Sequence, residues 1–240
     1  MIKVKPSQGL HERVRILPPY PTPTKLFHIT AIDNLRSIAE AGELVSKNRA
    51  IASNVATANI AYQSVQGHRA VRAVNVGRGG VVHDYVPFYF APRSPMLFTI
   101  NNGNVPGCAY RQDDIVHIAS SIERIRQLGL DYVFSNANAA TALASFFSSL
   151  DDLEEVDWGL ICEPPRLEGY CRYWQNNLGN PRYVQRMEKR MAEFLVHCGV
   201  PIAAVIEVGV RTSQMADRVS AALKGAAWAP EIRVVPGWYY

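Results

Sequence analysis

The sequence has few cysteines, and their spacing argues against two common kinds of site. Four occur among 240 residues, at Cys108, Cys162, Cys171 and Cys198. No two of them form a C-x-x-C pair, and their spacing does not resemble that of structural zinc ligands. A disulfide framework and a zinc site are therefore both unexpected. We predict reduced thiols with structural roles and no bound metal.

Long apolar runs are also missing from the sequence. No stretch reaches the roughly eighteen apolar residues that a membrane-spanning helix requires. The first 25 residues lack the apolar core of a signal peptide. We therefore expect a cytoplasmic protein that does not associate with a membrane.

The composition is that of an ordinary globular protein, because 48% of residues are hydrophobic and 19% are charged. The chain is long enough for one large domain or two small ones. No linker-like stretch divides it, which favours a single domain. The formal net charge of +4 suits a phosphate-bearing partner but discriminates little by itself.

Short strands alternate with short helices along the chain, without regular βαβ spacing. The expected strands cover 25–30, 114–119, 131–136, 193–198, 204–210 and 231–235. The expected helices cover a segment from Thr30 as its cap to Gly42 as its end, then 52–74, 120–129, 137–150, 181–191 and 213–225. The pattern predicts an α+β fold with a mixed or antiparallel sheet.

Two segments limit the alternatives to this fold. Prolines at 87, 92 and 95 predict short strands broken by turns over 81–100. The glycine-rich segment 77–80 precedes a strand and lacks G-K-[ST], so it fits neither a dinucleotide fingerprint nor a P-loop. Templates for a nucleophile elbow also match poorly.

One acidic residue stands out in "RMEKRMAEFLVHCGVP" (186–201). Glu193 opens an apolar strand, where a carboxylate must be paired, solvated or used. A bland interpretation is an edge-strand acid bonded to a nearby arginine. Arg69, on a helix with His68 and Arg72, belongs by default to a solvated face.

The histidines are open to two interpretations. His28 lies between apolar neighbours and is either a core histidine or a ligand contact. His117, in the middle of a strand, is expected to be structural. His83 and Asp84 could form a base and its orienting acid, but adjacent strand residues point to opposite faces.

Four strings of the sequence, in their order and spacing, resemble DarT-type DNA ADP-ribosyltransferase toxins. They are "FHITAIDNL" (27–35), "VHDYVPFYFAPRSPMLF" (82–98), "AEFLV" (192–196) and "WYY" (238–240). The resemblance covers about 25–240 as a single domain, and it leaves 1–24 as an N-terminal extension.

The resemblance implies a compact ADP-ribosyltransferase fold with a split sheet. Such a protein cleaves NAD between nicotinamide and ribose and moves ADP-ribose onto a base of single-stranded DNA. Thymine is the favoured base, and guanine is the alternative. The resemblance further implies a bacterial toxin restrained by a DarG-type macrodomain antitoxin that reverses the modification.

The resemblance also assigns residues to roles. Glu193 matches the catalytic glutamate, and Arg69 matches a catalytic arginine with a proton-acceptor role. Since a guanidinium stays protonated at ordinary pH, we instead expect Arg69 to hold the pyrophosphate or the base anion. The NAD-contacting residues by resemblance are His28, Ile29, Thr30, Ser37, Val45 and Arg69. The segment 53–74 would form the NAD-binding element.

The resemblance also indicates which part of the chain would bind DNA. The loop 163–192 would present the substrate, and it mixes arginines with aromatics as phosphate contact and base stacking require. A surface loop held by its own aromatics is the alternative. The DNA-contact candidates are Asn136, Asn138, Arg166, Arg172, Tyr173 and Trp174. Three aromatics, Tyr85, Phe88 and Tyr89, could flank nicotinamide.

A physical reason supports a glutamate at position 193. Cleavage of the glycosidic bond builds positive charge on the ribose, and a fixed carboxylate favours that charge over the neutral ground state. This stabilisation needs no metal ion. Two other functions stay open, namely ADP-ribosylation of proteins and a non-catalytic module that binds nucleic acid.

Overall fold

The computed structural model describes residues 20–55 and 58–240. Most of the predicted N-terminal extension, 1–24, therefore lies outside the described residues, as do two positions of the predicted NAD-binding element. The first strand begins at Lys25.

Twelve strands occur among the described residues. They are β1 (Lys25–Ala31), β2 (Glu43–Val45), β3 (Tyr85–Tyr89), β4 (Ile115–Ser121), β5 (Tyr132–Asn138), β6 (Phe146–Phe147), β7 (Arg166–Leu167), β8 (Tyr170–Cys171), β9 (Ala192–His197), β10 (Gly199–Pro201), β11 (Glu207–Val210) and β12 (Glu231–Val234).

Eight short α-helices accompany them within the same described ranges. They are α1 (Leu35–Ala41), α2 (Lys47–Ala52), α3 (Gln63–Val71), α4 (Pro95–Asn101), α5 (Ile122–Gln127), α6 (Trp158–Cys162), α7 (Arg186–Arg190) and α8 (Ser213–Ala222). Two predicted helix ends are confirmed. Gly42 ends α1 at a left-handed φ of 72°, and the Ser121 hydroxyl caps α5 by accepting from the Arg124 amide.

The main sheet contains eight strands in the order β12-β11-β4-β1-β3-β9-β5-β6. Its pairs are antiparallel except for β11 with β12, which is parallel. The sequence-based prediction of an α+β fold with a mixed sheet is confirmed.

The sheet is split between β1 and β3. Along β1 and β4 seven residues pair, whereas β1 and β3 share the single pair Phe27 with Tyr89. Beyond that pair the two strands diverge. The Pro87 carbonyl of β3 instead bonds to the His28 ring over 2.8 Å. This divergence opens the space that becomes the candidate site.

The core lies against both faces of the central strands. Phe194 of β9 belongs to the larger cluster of buried side chains, and its neighbour Leu195 belongs to a smaller cluster on the opposite face. Gly209 of β11 faces the Trp238 ring, which a Cβ atom there would approach to 2.1 Å. Glycine is therefore required for the C-terminal aromatics to pack on this strand.

Several sequence-based element predictions are wrong. Residues 137–150 form no α-helix, although their composition is helical: 137–138 end β5, 139–149 form turns and the short β6, and Leu150 begins a 3-10 helix. Within 52–74 the long helix is interrupted, and α3 covers only its last part. Segment 95–101 is α4, with Ser94 as cap and Pro95 at its start.

The predicted cap of the first helix is also wrong. The Thr30 hydroxyl accepts from the Asn34 side chain and caps no helix. A 3-10 turn, Ile32–Asn34, separates β1 from α1. Within the described part of the chain, no helix has the length and apolar character that crossing a bilayer would require.

Candidate active site

Glu193 lies in the middle of the sheet. Its strand, β9, runs between β3 and β5, and Glu193 pairs with Tyr89 of β3. The residue is only 1% exposed. The interpretation as an edge-strand acid is therefore wrong about its place, although an arginine does bond to it.

A bulge in β5 shapes the surroundings of the Glu193 carboxylate. The pairing of β5 with β9 shifts register between Phe134 and Asn138. Within the bulge, the Ser135 hydroxyl accepts from the Glu193 amide over 3.2 Å. Just beyond it, the Ala139 amide donates to Glu193 Oε1 over 3.1 Å. The Ala139 amide thus fixes the carboxylate, and the Ser135 hydroxyl fixes the main chain that carries it.

Arg69 provides the charged partner of Glu193. Its Nη1 and Nη2 donate to Oε1 and Oε2 of Glu193, each over 2.9 Å. Burial alone would lower the pKa of Arg69, but the charge of Glu193 and these hydrogen bonds outweigh it, so the pKa is raised. The Arg69 guanidinium therefore stays protonated beside Glu193.

The ion pair forms one wall of a cavity of about 260 Å³. Other walls come from β1, from the segment before α3, from Tyr89, and from α4 through Met96. The pair is thus buried yet reachable from the space of the split sheet. A purely structural ion pair would not need to border such a space.

A second cavity of about 180 Å³ adjoins the first. The two share lining residues, namely His28, Ile29, Ile60, Ala61 and Gln66. The second cavity also contains the predicted NAD contacts Thr30, Ser37 and Val45. The structure therefore brings all six residues of the predicted NAD set to one continuous surface.

His28 sits where the two cavities meet. Its Nδ1 lies 2.8 Å from the Pro87 carbonyl, which requires a hydrogen on Nδ1. Burial lowers the pKa of His28, although the bond to Pro87 opposes this effect. The ring is accordingly neutral near pH 7, and its Nε2 acts as an acceptor.

Of the three aromatics expected around nicotinamide, one lines the first cavity and two do not. Tyr89 lines the first cavity, and burial together with the charge of Glu193 raises the pKa of its hydroxyl. Tyr85 and Phe88 instead belong to the core. The prediction for those two is wrong, because neighbouring strand positions face opposite sides of the sheet and Tyr85 bonds to the Gly79 carbonyl.

His83 and Asp84 do not form a catalytic pair. They lie in a 3-10 turn, and His83 Nε2 is 3.0 Å from Gln66 Oε1. Burial and the positive charges of Arg69 and Lys47 lower the pKa of His83. Asp84 accepts from the Val81 amide instead.

The two asparagines proposed for DNA contact point to different places. Asn138 lines the first cavity beside Met191, and its Oδ1 accepts from the Ala140 amide over 3.0 Å. Asn136 lies in the bulge and lines a separate cleft that also contains Glu154 and Asp157. An acidic cleft does not suit a DNA phosphate, so the prediction for Asn136 is not supported by its surroundings.

The DNA-contact candidates in the loop 163–192 differ in their exposure to solvent. Arg172 and Tyr173 are exposed, as contact with a nucleic acid would require. Trp174 is 7% exposed and packs against Phe98 and Tyr240, so its ring offers little surface on which a base could stack. Arg166 is exposed, and its Nε donates to the Cys162 carbonyl.

Sequence reasoning missed several residues of the site. Gln66 could have been found, since it precedes Arg69 by three positions on the same helical face. Met96 and Met191 give no such signal. The Ala139 amide depends on the bulge, which the sequence does not reveal. The described residues contain no group of three His, Cys, Asp or Glu side chains placed to hold a metal ion.

Comparison with known proteins agrees with this geometry. Residues 27–240 match the family model described as "ssDNA thymidine ADP-ribosyltransferase, DarT". A DNA ADP-ribosyl transferase of Thermus sp. (strain 2.9) is 36% identical over 225 residues, which cover 92% of this chain and 98% of the relative.

Solved structures of Thermus sp. 2.9 DarT have a similar fold. The complex with ADP-ribosylated ssDNA has a TM-score of 0.81 at 35% identity, covering 92% of this chain and 98% of that one. The complex with NAD+ has a TM-score of 0.77 at 33% identity, covering 92% and 100%. The chain described here therefore belongs to the DarT family of ssDNA thymidine ADP-ribosyltransferases.

Proposed function

We propose that this protein transfers ADP-ribose from NAD to a thymine base of single-stranded DNA and releases nicotinamide. The observation that carries the proposal is the fixed Glu193 carboxylate at the wall of a cavity that continues into a second one. Family membership supports the same activity, as do the Thermus complexes with NAD+ and with ADP-ribosylated ssDNA.

In this proposal, NAD lies across both cavities. The nicotinamide ribose lies beside Glu193 in the first cavity, and the adenosine half occupies the second, which contains Thr30, Ser37 and Val45. As the bond to nicotinamide breaks, its electron pair leaves with nicotinamide and the ribose becomes cationic. The Glu193 carboxylate favours that cation more than the ground state.

Arg69 has two tasks in this proposal. It holds the Glu193 carboxylate in place through two hydrogen bonds, and it adds a positive charge where the thymine ring nitrogen loses its proton. The protonated Arg69 guanidinium stabilises the thymine anion but does not itself take the proton. The proton passes to solvent, and the ring nitrogen bonds to C1′ of the ribosyl cation that nicotinamide has left. Asn138, on the same cavity wall, is a candidate contact for the base.

Single-stranded DNA is captured by the exposed part of the loop 163–192. Arg172 provides a phosphate contact, and Tyr173 provides a stacking surface. The segment 53–74 contributes Ile60, Gln66 and Arg69 to the cavity walls, which supports its assignment as the NAD-binding element.

A regulatory partner completes the proposal. The family resemblance implies a DarG-type macrodomain antitoxin that removes the modification, and 25–240 would be one catalytic domain acting in the bacterial cytoplasm. Expression of the chain alone should arrest growth, and co-expression of a DarG-type macrodomain should restore it.

Substrate choice is tested with NAD labelled in its adenylate phosphate. Purified protein is incubated with oligonucleotides that contain only one modifiable base type, and with double-stranded and protein substrates. Label is expected on thymine-containing single strands. Label on guanine alone would change the base, and label on protein alone would make this a protein-directed enzyme. DNA binding without nicotinamide release would indicate a non-catalytic module.

A further inference from the structure

We propose that Asn34 is a positioning residue that builds the adenosine half of the NAD site. The inference rests on the proposed function, because it concerns how the same cavities are held ready for NAD. Asn34 is 7% exposed, ends the 3-10 turn after β1 and lies on the wall of the second cavity.

The Asn34 side chain ties two segments together. Its Nδ2 donates to the Thr30 hydroxyl over 3.0 Å and to the Ala58 carbonyl over 3.1 Å. Its Oδ1 accepts from the Ala58 amide over 2.7 Å. Both the carbonyl and the amide of Ala58 are thus bonded to one side chain. Only a group that donates and accepts at once can make all three bonds.

The tie sets the position of a wall that belongs to both cavities. Ala58 belongs to the stretch 58–62, which is neither helix nor strand, so no regular backbone hydrogen bonding fixes its position. Two of its residues, Ile60 and Ala61, line both cavities. Asn34 therefore holds this wall at a set distance from β1, across the space where the proposal places NAD.

The tie also sets the direction of a hydroxyl group. Because Thr30 Oγ1 accepts from Asn34, its own hydrogen is left to donate elsewhere. Thr30 lines the second cavity. A hydroxyl presented in this way fits an acceptor such as a ribose or phosphate oxygen of a dinucleotide. Asn34 thus orients a predicted NAD contact.

The test compares Asn34→Asp and Asn34→Ala with the wild type. Aspartate keeps the shape but loses both donor hydrogens, and alanine removes the tie without adding charge. We expect the KM for NAD to rise roughly tenfold or more, because aspartate loses the two hydrogen bonds that Nδ2 donates and alanine loses all three. We expect kcat at saturating NAD to stay within about twofold, because Glu193 and Arg69 lie on other elements.

Two controls separate this effect from general damage. Asn75→Asp makes the same substitution at an exposed position and should leave the KM for NAD unchanged. The dissociation constant of NAD, measured by calorimetry without DNA, should rise in parallel with KM in both Asn34 variants. Thr30→Val, which removes the hydroxyl that Asn34 orients, should also raise the KM for NAD.

The proposal is overturned if a folded Asn34 variant binds NAD as the wild type does, or if kcat falls while KM is unchanged. If neither Asn34 variant folds, Thr30→Val decides, and an unchanged KM there would overturn the proposal. Wild-type protein that binds NAD but labels no DNA would instead refute the proposed function, and the calorimetric comparison would still test Asn34.

Discussion

Arg69 donates to both carboxylate oxygens of Glu193, each over 2.9 Å, at the wall of the first cavity. The two residues come from α3 and from the central strand β9, 124 positions apart in sequence. The pair resembles a structural ion pair in its burial and differs from one in bordering a cavity. Its removal should therefore affect both stability and catalysis.

Arg69→Ala should destabilise the fold by about 3–5 kcal/mol, because it leaves the buried Glu193 carboxylate without its charged partner. Arg69→Lys restores the charge but not the two-pronged geometry, so its stability should be intermediate and its transfer activity low. Chemical denaturation measures the first effect. An exposed-site control is Arg126→Ala, which should change the free energy of unfolding by less than about 0.5 kcal/mol.

This account would be contradicted if the free energy of unfolding of Arg69→Ala were equal to or greater than that of the wild type. The result would mean that the Glu193 carboxylate finds other partners when Arg69 is absent.

Stability should fall in mild acid because of His117. Burial lowers the pKa of this fully buried ring from 6.5 to about 4, and the bond from its Nε2 to the Pro92 carbonyl opposes the effect only in part. Between pH 6.5 and pH 4, His117 therefore binds a proton in the unfolded chain but not in the folded one. The contribution of neutral His117 to the free energy of unfolding is fully present above pH 6.5. It is lost as the pH falls toward 4, at roughly 1.4 kcal/mol per pH unit.

His117→Gln tests that dependence, since glutamine can still donate to Pro92. Denaturation midpoints between pH 7 and pH 4 should change less steeply in this variant than in the wild type. His28, whose pKa burial also lowers, should account for part of the remaining slope. His68→Gln, at an exposed position of α3, is the matched control and should keep the wild-type slope. Equal slopes for His117→Gln and wild type would refute the prediction.

Tyr173 and Trp174 are neighbours with opposite expected effects. Tyr173→Ala should weaken binding of single-stranded DNA roughly tenfold, as expected for one lost stacking contact, and leave thermal stability unchanged. Trp174→Ala should destabilise the fold by about 3–5 kcal/mol, because the ring is packed against Phe98 and Tyr240. Fluorescence anisotropy and thermal melting distinguish the two. Loss of DNA affinity in Trp174→Ala with normal stability would reverse the assignment.

The same neighbours show what the sequence could and could not predict. A run of arginines and aromatics indicates a nucleic-acid surface, but it does not say which ring faces inward. Trp174 is buried because α4 and the C-terminal Tyr240 lie against it, and neither contact is local in sequence. Strand β9 and the end of α1 were predictable, because apolar runs and Gly42 are local signals.

The failure over 137–150 has a similar cause. Its alanines favour a helix, yet the Arg72 guanidinium bonds to the Ala144 carbonyl over 2.9 Å and the bulge in β5 redirects the chain. Tertiary contacts therefore override local propensity there. In α4 a local signal did exist, because Ser94 followed by Pro95 is a typical helix start.

The most direct test of the account is transfer of labelled ADP-ribose from NAD to thymine-containing single-stranded DNA by Glu193→Gln. Glutamine keeps the shape of the side chain and removes the negative charge that the ribosyl cation requires. We expect the rate to fall roughly 100-fold or more with NAD affinity largely retained, while the control Glu154→Gln, in the separate acidic cleft, stays near wild type. Wild-type transfer by a folded Glu193→Gln protein would contradict the central claim that this carboxylate stabilises the ribosyl cation formed as nicotinamide departs.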